Sequence, residues 1–379
     1  CWATAAWLTL GVARRERHGF AVGQAVLVAT TILGVGAALE GRAWWQQAAW
    51  PWLDPWTLEA KNFIGEGVCR IAVRPGGVEV VAATTNGLFE RPAGGGDNWV
   101  RVAAPPFDTL SVKCADVLWT RGDASRPERL WVWVQRGASA GLWVRDAGAA
   151  AFQRILAPPA VRAKRAVLSL VDPSVAPDQF FVLVDDYDGV NTNRPPLLFR
   201  VACATNALPV ATAVAGVPAI LGRQGFYDIA IATHPTQPNR VVLGGNTSVA
   251  QTPDGTVLKA PGNTDDGAVV VGDVALNGAV LTFGHPAASR MVGVGVHADV
   301  HDLAWSNNGN RLWAACDGGV FRSDKPDKQV GFYAVNNGLA VIESNYLISH
   351  PLCEGYLVTG LQDNGIISRR SGSLWNHEG

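Results

Sequence analysis

Short runs of alternating apolar and polar residues, each closed by a glycine-containing turn, fill the last part of this chain. They occur at Val296–Trp305, Leu312–Ser323 and Leu357–Gly365. Alternation with a period of two is typical of a β-strand with one buried face, and glycine after such a run is typical of a turn between antiparallel strands. These three stretches therefore predict small antiparallel sheets.

The same strand and turn pattern recurs through most of the chain, with turns near residues 87, 141, 197, 247, 319 and 365. The turns are roughly 45 to 72 residues apart, and a repeat of that length indicates a propeller or a solenoid. Because the repeat is built from strands, it excludes a helical solenoid. We predict an all-β fold, a β-propeller of about six to eight blades. Ser373–Gly379 falls partway through an expected blade, so we expect either that the chain continues or that a strand near Phe63–Val73 closes the ring.

A long uncharged segment near the start of the chain has a different pattern. Phe20–Leu39 is 20 residues without a charge, which is long enough to cross a bilayer as a helix. Three arginines precede it, and a cluster of tryptophans follows it. By the positive-inside rule and the aromatic belt, the segment predicts a transmembrane α-helix whose tryptophan end lies on the outer side of the membrane. A cleaved signal peptide is the alternative.

The domain boundary lies just after this segment, where prolines prevent a helix from continuing. We predict an apolar and basic segment at 1–19, the membrane helix at 20–43, an interfacial linker at 44–60 and the propeller at 61–379. The linker tryptophans are expected at the membrane interface: Trp44, Trp45, Trp50, Trp52 and Trp56. The propeller would then lie on the periplasmic or extracellular side.

Charge and cysteine spacing exclude two classes of site. The net charge is −1, so no basic field indicates a nucleic-acid partner. The six cysteines are scattered without a C-x-x-C pair, so zinc-site spacing is absent. We also find no phosphate-binding glycine loop and no nucleophile motif. No cofactor is predicted apart from the divalent metals considered next.

Two groups of side chains are candidates for a metal. His297, Asp299 and His301 are spaced by two residues, so on a strand they would face the same side. They could hold a divalent metal, line the axial channel of the propeller, or form hydrogen bonds between blades. The second group is the acidic loop with Asp185, Asp186 and Asp188, whose oxygens suit calcium. The alternative for that loop is a solvated turn.

The motifs of the last part of the chain resemble the BNR (Asp-box) propeller superfamily, most closely its sortilin-like and xyloglucanase-type branch. The resemblance rests on H-A-D-V-H at 297–301, D-G-G-V-F-R-S at 317–323 and Q-D-N-G at 362–365. It implies that one set of residues has a structural role in blade turns: Asp317, Gly318, Gly319, Gln362, Asp363, Asn364 and Gly365. In such turns the aspartates accept backbone amide hydrogen bonds. The Asp-boxes themselves are eroded here.

The sequence therefore favours a membrane-anchored propeller that acts as a non-catalytic binding, scaffold or assembly subunit of a membrane protein complex. Its expected partners are the lipid bilayer and other subunits of that complex. The alternative is a glycoside hydrolase or carbohydrate-binding propeller of the xyloglucanase-like class. That alternative requires a pair of carboxylates, and the sequence singles out no pair, so no catalytic residue is predicted.

Overall fold

A computed structural model of the chain contains strands, turns and loops in the residues that it describes. These residues are 67–77, 79–94, 98–108, 112–135, 138–157, 165–176, 179–186, 189–190, 194–202, 208–246, 249–251, 257–259, 267–284, 293, 295–326, 331–336, 344–361, 365–370 and 375–377. All of them belong to the second of the two units into which the chain divides, Asn62–Gly379.

The described strands form six four-stranded units, which we number as blades 1 to 6 in chain order. Blade 1 contains β1 (Val68–Val73), β2 (Val80–Thr84), β3 (Gly87–Arg91) and β4 (Val100–Arg101). Blade 2 contains β5 (Cys114–Thr120), β6 (Arg129–Val134), β7 (Gly141–Asp146) and β8 (Gln153–Leu156). Blade 3 contains β9 (Ala166–Leu170), β10 (Gln179–Val184), β11 (Leu197–Ala202) and β12 (Val210–Ala215).

The remaining blades follow the same order with one insertion. Blade 4 contains β13 (Ala230–Thr233), β14 (Arg240–Gly245), β17 (Ala268–Asn277) and β18 (Val280–Gly284), with the hairpin β15 (Val249–Gln251) and β16 (Val257–Lys259) inserted after β14. Blade 5 contains β19 (Val300–Trp305), β20 (Leu312–Cys316), β21 (Gly319–Ser323) and β22 (Phe332–Ala334). Blade 6 contains β23 (Ser344–His350), β24 (Cys353–Leu361), β25 (Ile366–Arg369) and β26 (Asn376–His377).

The first strands of successive blades lie against one another, in the order β1, β5, β9, β13 and β19. Within each blade the strands pair antiparallel in chain order. Four-stranded antiparallel sheets that pack in sequence through their first strands are the architecture of a β-propeller. The predicted all-β propeller fold is therefore confirmed.

Strand β6 shows why this sequence packs in this way. Its sequence, Arg-Leu-Trp-Val-Trp-Val, is buried along its whole length. Trp131 and Trp133 lie in the core shared with blade 3, where the Trp131 ring lies 4.6 Å from that of Phe180. Leu130, Val132 and Val134 lie in the core shared with blade 1. Since side chains alternate between the two faces of a strand, a continuous apolar run is what a sheet packed on both sides requires.

Four features of the strand pairing bear on the pattern predicted from sequence. The turn expected near residue 247 is not a tight hairpin, because β14 pairs with β17 and the β15–β16 hairpin is inserted between them. The outer strands β12 and β18 pair in parallel and join blades 3 and 4 into one eight-stranded sheet. Strand β26 adds a fourth strand to the last sheet, which was expected to be incomplete. Strand β1, within the segment considered for closing the ring, pairs with β2 of its own blade.

The predicted membrane helix and the five tryptophans after it lie outside the described residues. Within the described ranges, which start at residue 67, no helix has the length and apolarity needed to cross a bilayer.

Candidate functional site

The starts of the first strands of blades 1 to 5 converge on a small polar cavity. Its volume is about 40 Å³, and residues from five consecutive blades line it. Its charged and polar lining residues are Cys69, Arg70, Asp116, Arg165, His301 and Asp302. The central end of this propeller, which we call the axial mouth, is therefore lined by charged groups of both signs.

Asp116 is the most deeply buried acid of the cavity lining. The Val117 and Leu168 amides each donate a hydrogen bond to its carboxylate, both at 2.7 Å. Arg70 Nε lies 3.3 Å from Asp116 Oδ1. Burial raises the pKa of Asp116 to about 6, against the lowering effect of Arg70 and the two amides. Because Leu168 lies on the first strand of blade 3, this carboxylate ties blade 2 to blade 3.

Arg165 holds the loop that precedes blade 4. Its Nη1 donates a hydrogen bond of 3.2 Å to the Phe226 carbonyl and another to the Tyr227 carbonyl. Burial lowers the pKa of Arg165, while nearby acids, Asp116 among them, raise it. This guanidinium therefore joins blade 3 to the 222–228 loop at the axial mouth.

A histidine and an aspartate of blade 5 meet a tyrosine of the 222–228 loop. His301 Nε2 lies 2.5 Å from Asp317 Oδ1. The Tyr227 hydroxyl donates to both oxygens of the same carboxylate at 3.1 and 3.2 Å. The Tyr227 ring packs edge-on against the His301 ring, with centroids 4.7 Å apart. The three side chains form a hydrogen-bonded seam between blades 4 and 5.

Asp299 and His301 do not share one face of a strand, because the strand begins only at Val300. Asp299 adopts a left-handed backbone conformation with φ 62°, and a bulge follows between Val300 and Asp302. Its Oδ1 accepts hydrogen bonds from Asn246 Nδ2 at 3.0 Å and from Gln224 Nε2 at 3.4 Å. Asp299 and His301 therefore contact different partners at the axial mouth.

His297 lies before this strand and packs beside the turn of the same blade. Its Nδ1 lies 3.2 Å from the Ala298 carbonyl oxygen. A Cβ placed on Gly318 would lie 2.6 Å from the His297 Cβ. Among the described residues, no three side chains of His, Cys, Asp or Glu are grouped so that they could hold a metal. The predicted grouping of His297, Asp299 and His301 on one face is therefore not what the structure has.

The blade-turn residues occupy the turn between β20 and β21. Gly319 has φ 103°, a conformation that favours glycine. Asn336 closes the turn, since its Oδ1 accepts from the Val320 amide at 2.7 Å and its Nδ2 donates to the Gly318 carbonyl at 2.8 Å. The corresponding Gly365 has φ 72°. Gln362, Asp363 and Asn364 lie outside the described residues.

The acidic loop after β10 reaches the same end of the propeller. Asp185 is buried, and a Cβ placed on Gly225 would lie 2.7 Å from its carboxyl group. Asp186 Oδ2 accepts a hydrogen bond of 2.5 Å from Arg194 Nε. Asp188 lies outside the described residues. This loop therefore packs against the 222–228 loop.

Asp228 is a residue of the axial mouth that the sequence analysis missed. It has no exposed surface, and neither of its carboxyl oxygens has a hydrogen-bond partner of good geometry. Burial raises the pKa of Asp228 to about 8, and the negative charge of Asp299 is the second cause of this rise. The side chain of Asn246 has the opposite, smaller effect and lowers the pKa. The raised pKa favours the protonated form of Asp228.

A repeated sequence signal could have found part of this site. A charged residue is the third residue of the first strand in three blades, as Arg70, Asp116 and Asp302. The Asp116 carboxylate accepts a hydrogen bond from the Val117 amide, and the Asp302 carboxylate accepts one from the Leu303 amide. A charge at the same place in several repeats indicates a common axial position.

The four-stranded blades and the polar axial mouth define this chain as a β-propeller. Its sequence matches no protein-family model and no curated protein.

Among solved structures, it is similar to the GH74 enzyme of Niastella koreensis, with 14% identity over 81% of this chain and 45% of that one and a TM-score of 0.49. It is also similar to the GH74 xyloglucanase of Xanthomonas campestris, with 13% identity over 79% and 50% and a TM-score of 0.46. The chain is also similar to the hydrazine synthase of Kuenenia stuttgartiensis, with 10% identity over 80% of this chain and 83% of that one and a TM-score of 0.42. This chain thus spans about half the length of the two GH74 proteins. At these values the likeness carries no argument about function.

Proposed function

We propose that this chain is a non-catalytic binding or assembly module, held at a membrane by the 20–39 segment, whose axial mouth docks on another subunit of a membrane protein complex. The observation that carries the proposal is the 222–228 loop. It is fixed on several sides by neighbouring blades, and it presents an exposed aromatic side chain.

The contacts of this loop leave it little freedom. Arg165 holds two of its carbonyls, Gln224 and Tyr227 bond to acids of blade 5, and Gly225 packs against Asp185. Phe226 nevertheless has 66% of its surface exposed. A rigid aromatic side chain at a surface loses little conformational entropy on binding, and such residues are enriched at protein interfaces.

The acids of the mouth support binding over catalysis. A catalytic acid or base must reach the reacting atoms. Asp116 and Asp228 are buried, and Asp317 is engaged by both His301 and Tyr227. The described contacts of Asp116 and Asp317 hold blades together, which is a structural role.

Native mass spectrometry of the protein in mild detergent, purified from its own membrane, tests the docking. We expect a defined complex that survives in Leu276→Ala and dissociates in Phe226→Ala. Leu276 is 70% exposed, and it lies near the far end of β17, whose first residues lie at the axial mouth. It therefore controls for the loss of any exposed apolar side chain. A wild-type chain that is monomeric, or a complex equally stable in both variants, contradicts the proposal.

Membrane attachment is tested separately by fractionation. A chain without residues 1–60 is expected in the soluble fraction, while the full chain stays with the membrane after washing at high salt. High salt removes proteins held by charge but leaves an apolar helix in place. A full chain released by salt, or a shortened chain that stays membrane-bound, contradicts the anchor.

A second candidate function is hydrolysis or binding of a carbohydrate. One observation favours it, because burial and the neighbouring charge of Asp299 raise the pKa of Asp228, as the pKa of a glycosidase's general acid is raised. The complete burial of Asp228 opposes it. A panel of soluble glycans tests both forms. Activity that Asp299→Asn abolishes would support an enzyme, and binding without turnover would support a lectin-like module.

A further inference from the structure

Asp228 presents a physical problem that its protein neighbours do not solve. Its side chain is completely buried, and neither carboxyl oxygen makes a hydrogen bond of good geometry, although the side chains of Asn246 and Asp299 lie within reach. A buried carboxyl group without partners is costly, and buried charges in proteins are normally paired with another charge or bound to a metal. A group that completes the coordination of Asp228 is therefore expected.

Among the described residues, the groups beside Asp228 are a carboxyl group and an amide, and the charge of Arg165 also interacts with it. Asp299, from the start of blade 5, lies close enough for its charge to act on Asp228. The Asn246 amide, at the end of β14, lies beside both carboxyl groups. The nearby cation, Arg165, directs its Nη1 at the Phe226 and Tyr227 carbonyls. Two carboxyl groups and an amide from adjacent blades thus meet around one point.

We propose that Asp228, Asp299 and Asn246 form a divalent-cation site, of the calcium type, at the seam between blades 4 and 5. Calcium takes carboxylate and amide oxygens, and water completes its coordination shell. Asn246 offers its oxygen after a half-turn of the amide group, an exchange of two atoms of nearly equal size. Asp299 is only partly buried, so water and the ion have access from its side.

The backbone of Asp299 agrees with this assignment. It is the one residue other than glycine with positive φ in the described part of the chain. Conformations of this kind are retained where the surroundings require a particular side-chain direction, and they concentrate at ligand sites. At Asp299 the left-handed conformation brings the carboxylate next to Asn246 and Asp228. The site differs from the metal group predicted from sequence, since it contains Asp299 but neither histidine.

Calcium titration of the full chain tests the site. The detergent-solubilised protein is stripped with EDTA, dialysed, and titrated with CaCl2 in a calorimeter, and its Tm is followed in parallel. We expect one bound Ca²⁺ per chain and a rise in Tm, because an ion that binds only the folded state stabilises it. Asp228→Asn and Asp299→Asn are expected to weaken binding about tenfold or more.

Asp273→Asn is the matched control. Asp273 lies in the same blade, in the middle of β17 and opposite the first residue of β14, Arg240, which its carboxylate binds. This variant is expected to bind Ca²⁺ as the wild type does. Asp299→Asn preserves the acceptor for Asn246, and asparagine tolerates the left-handed conformation, so it keeps the test decisive if Asp228→Asn does not fold.

Two outcomes would overturn the proposal. One is a wild-type chain that binds no Ca²⁺ at about 1 mM, the weak end of calcium sites in proteins. That result would leave a carboxyl pair that shares a proton. The other is unchanged affinity in a folded Asp228→Asn or Asp299→Asn variant, which would place the ion elsewhere, for example at the loop of Asp185 and Asp186.

Discussion

Tyr227 and Asp317 are joined by a hydrogen bond of 3.1 Å although 90 residues separate them in the chain. The hydroxyl comes from the loop before blade 4, and the carboxylate belongs to a turn of blade 5. The same carboxylate is held from its own blade by His301 at 2.5 Å. One acid therefore fixes the position of two blades relative to each other.

Removal of this hydroxyl should weaken the seam between blades 4 and 5. Tyr227→Phe keeps the ring contact with His301 but loses the bond to Asp317. We expect the free energy of unfolding to fall by about 1–2 kcal/mol, the range for a hydrogen bond to a charged group at a partly exposed site. Urea denaturation measures the change. Tyr333→Phe is the control, because its hydroxyl bonds to Asp324 on the surface of one blade; an equal loss in both variants would contradict a special role for the seam.

Asp116 should be more sensitive to truncation than an exposed aspartate. Asp116→Ala leaves the buried Leu168 and Val117 amides without their acceptor. Each unsatisfied buried donor costs about 1–3 kcal/mol, so we expect a large loss of stability in urea. Asp123→Ala removes hydrogen bonds to Ser125 and Arg126 at an exposed turn. That control should change little, and a similar loss in both variants would argue against the link between blades 2 and 3.

The raised pKa of Asp228 predicts a pH dependence of stability in chelator-treated protein. Its carboxyl group has a pKa of about 8 when folded and an ordinary value of 3.8. Between these values the folded state binds the proton and the unfolded state does not, so the contribution to stability is complete below about pH 4 and is lost as the pH rises to about 8.

Denaturation of wild type and Asp228→Asn across this pH range measures the effect. Asparagine does not titrate, so the stability of the wild type should fall relative to that of the variant as the pH rises. Each unit of pKa difference corresponds to at most about 1.4 kcal/mol. Asp116 titrates in both proteins and cancels in the comparison. A difference that stays constant with pH would show that Asp228 has an ordinary pKa.

Two glycines of blade 2 allow the cost of a strained backbone to be compared with the cost of a steric clash when each is replaced by alanine. Gly141 begins β7 with φ 132°, and a Cβ there would lie 2.0 Å from the Leu156 carbonyl oxygen. Gly148 has φ 80°, but a Cβ added at Gly148 would meet no other atom within 4 Å. Gly148→Ala should cost about 1–2 kcal/mol for its left-handed conformation, and Gly141→Ala considerably more. Thermal unfolding compares them, and equal Tm values would show that blade 2 tolerates the added methyl group.

The strands and most of their turns could be predicted from the sequence, because they depend on neighbours in the chain. The Val80–Thr84 and Gly87–Arg91 hairpin is one example, and the Leu312–Cys316 and Gly319–Ser323 hairpin is another. In both, a run of strand-forming residues is followed by a glycine with positive φ. The turn near 247 was misplaced because the next strand of that sheet begins only at Ala268, after an inserted hairpin.

The sequence by itself determined which segments become strands, because alternation and glycine turns act over a few residues. Only the tertiary structure decided which side chains meet at the axial mouth. Asp116 accepts a hydrogen bond from the backbone amide of Leu168, which is 52 residues away in the chain. Asp299 accepts one from the side-chain amide of Asn246, which is 53 residues away. The alternation of His297, Asp299 and His301 predicted a shared face, but the left-handed backbone at Asp299 directs the three side chains to different partners. Such contacts follow from how whole blades pack, and no local pattern encodes that packing.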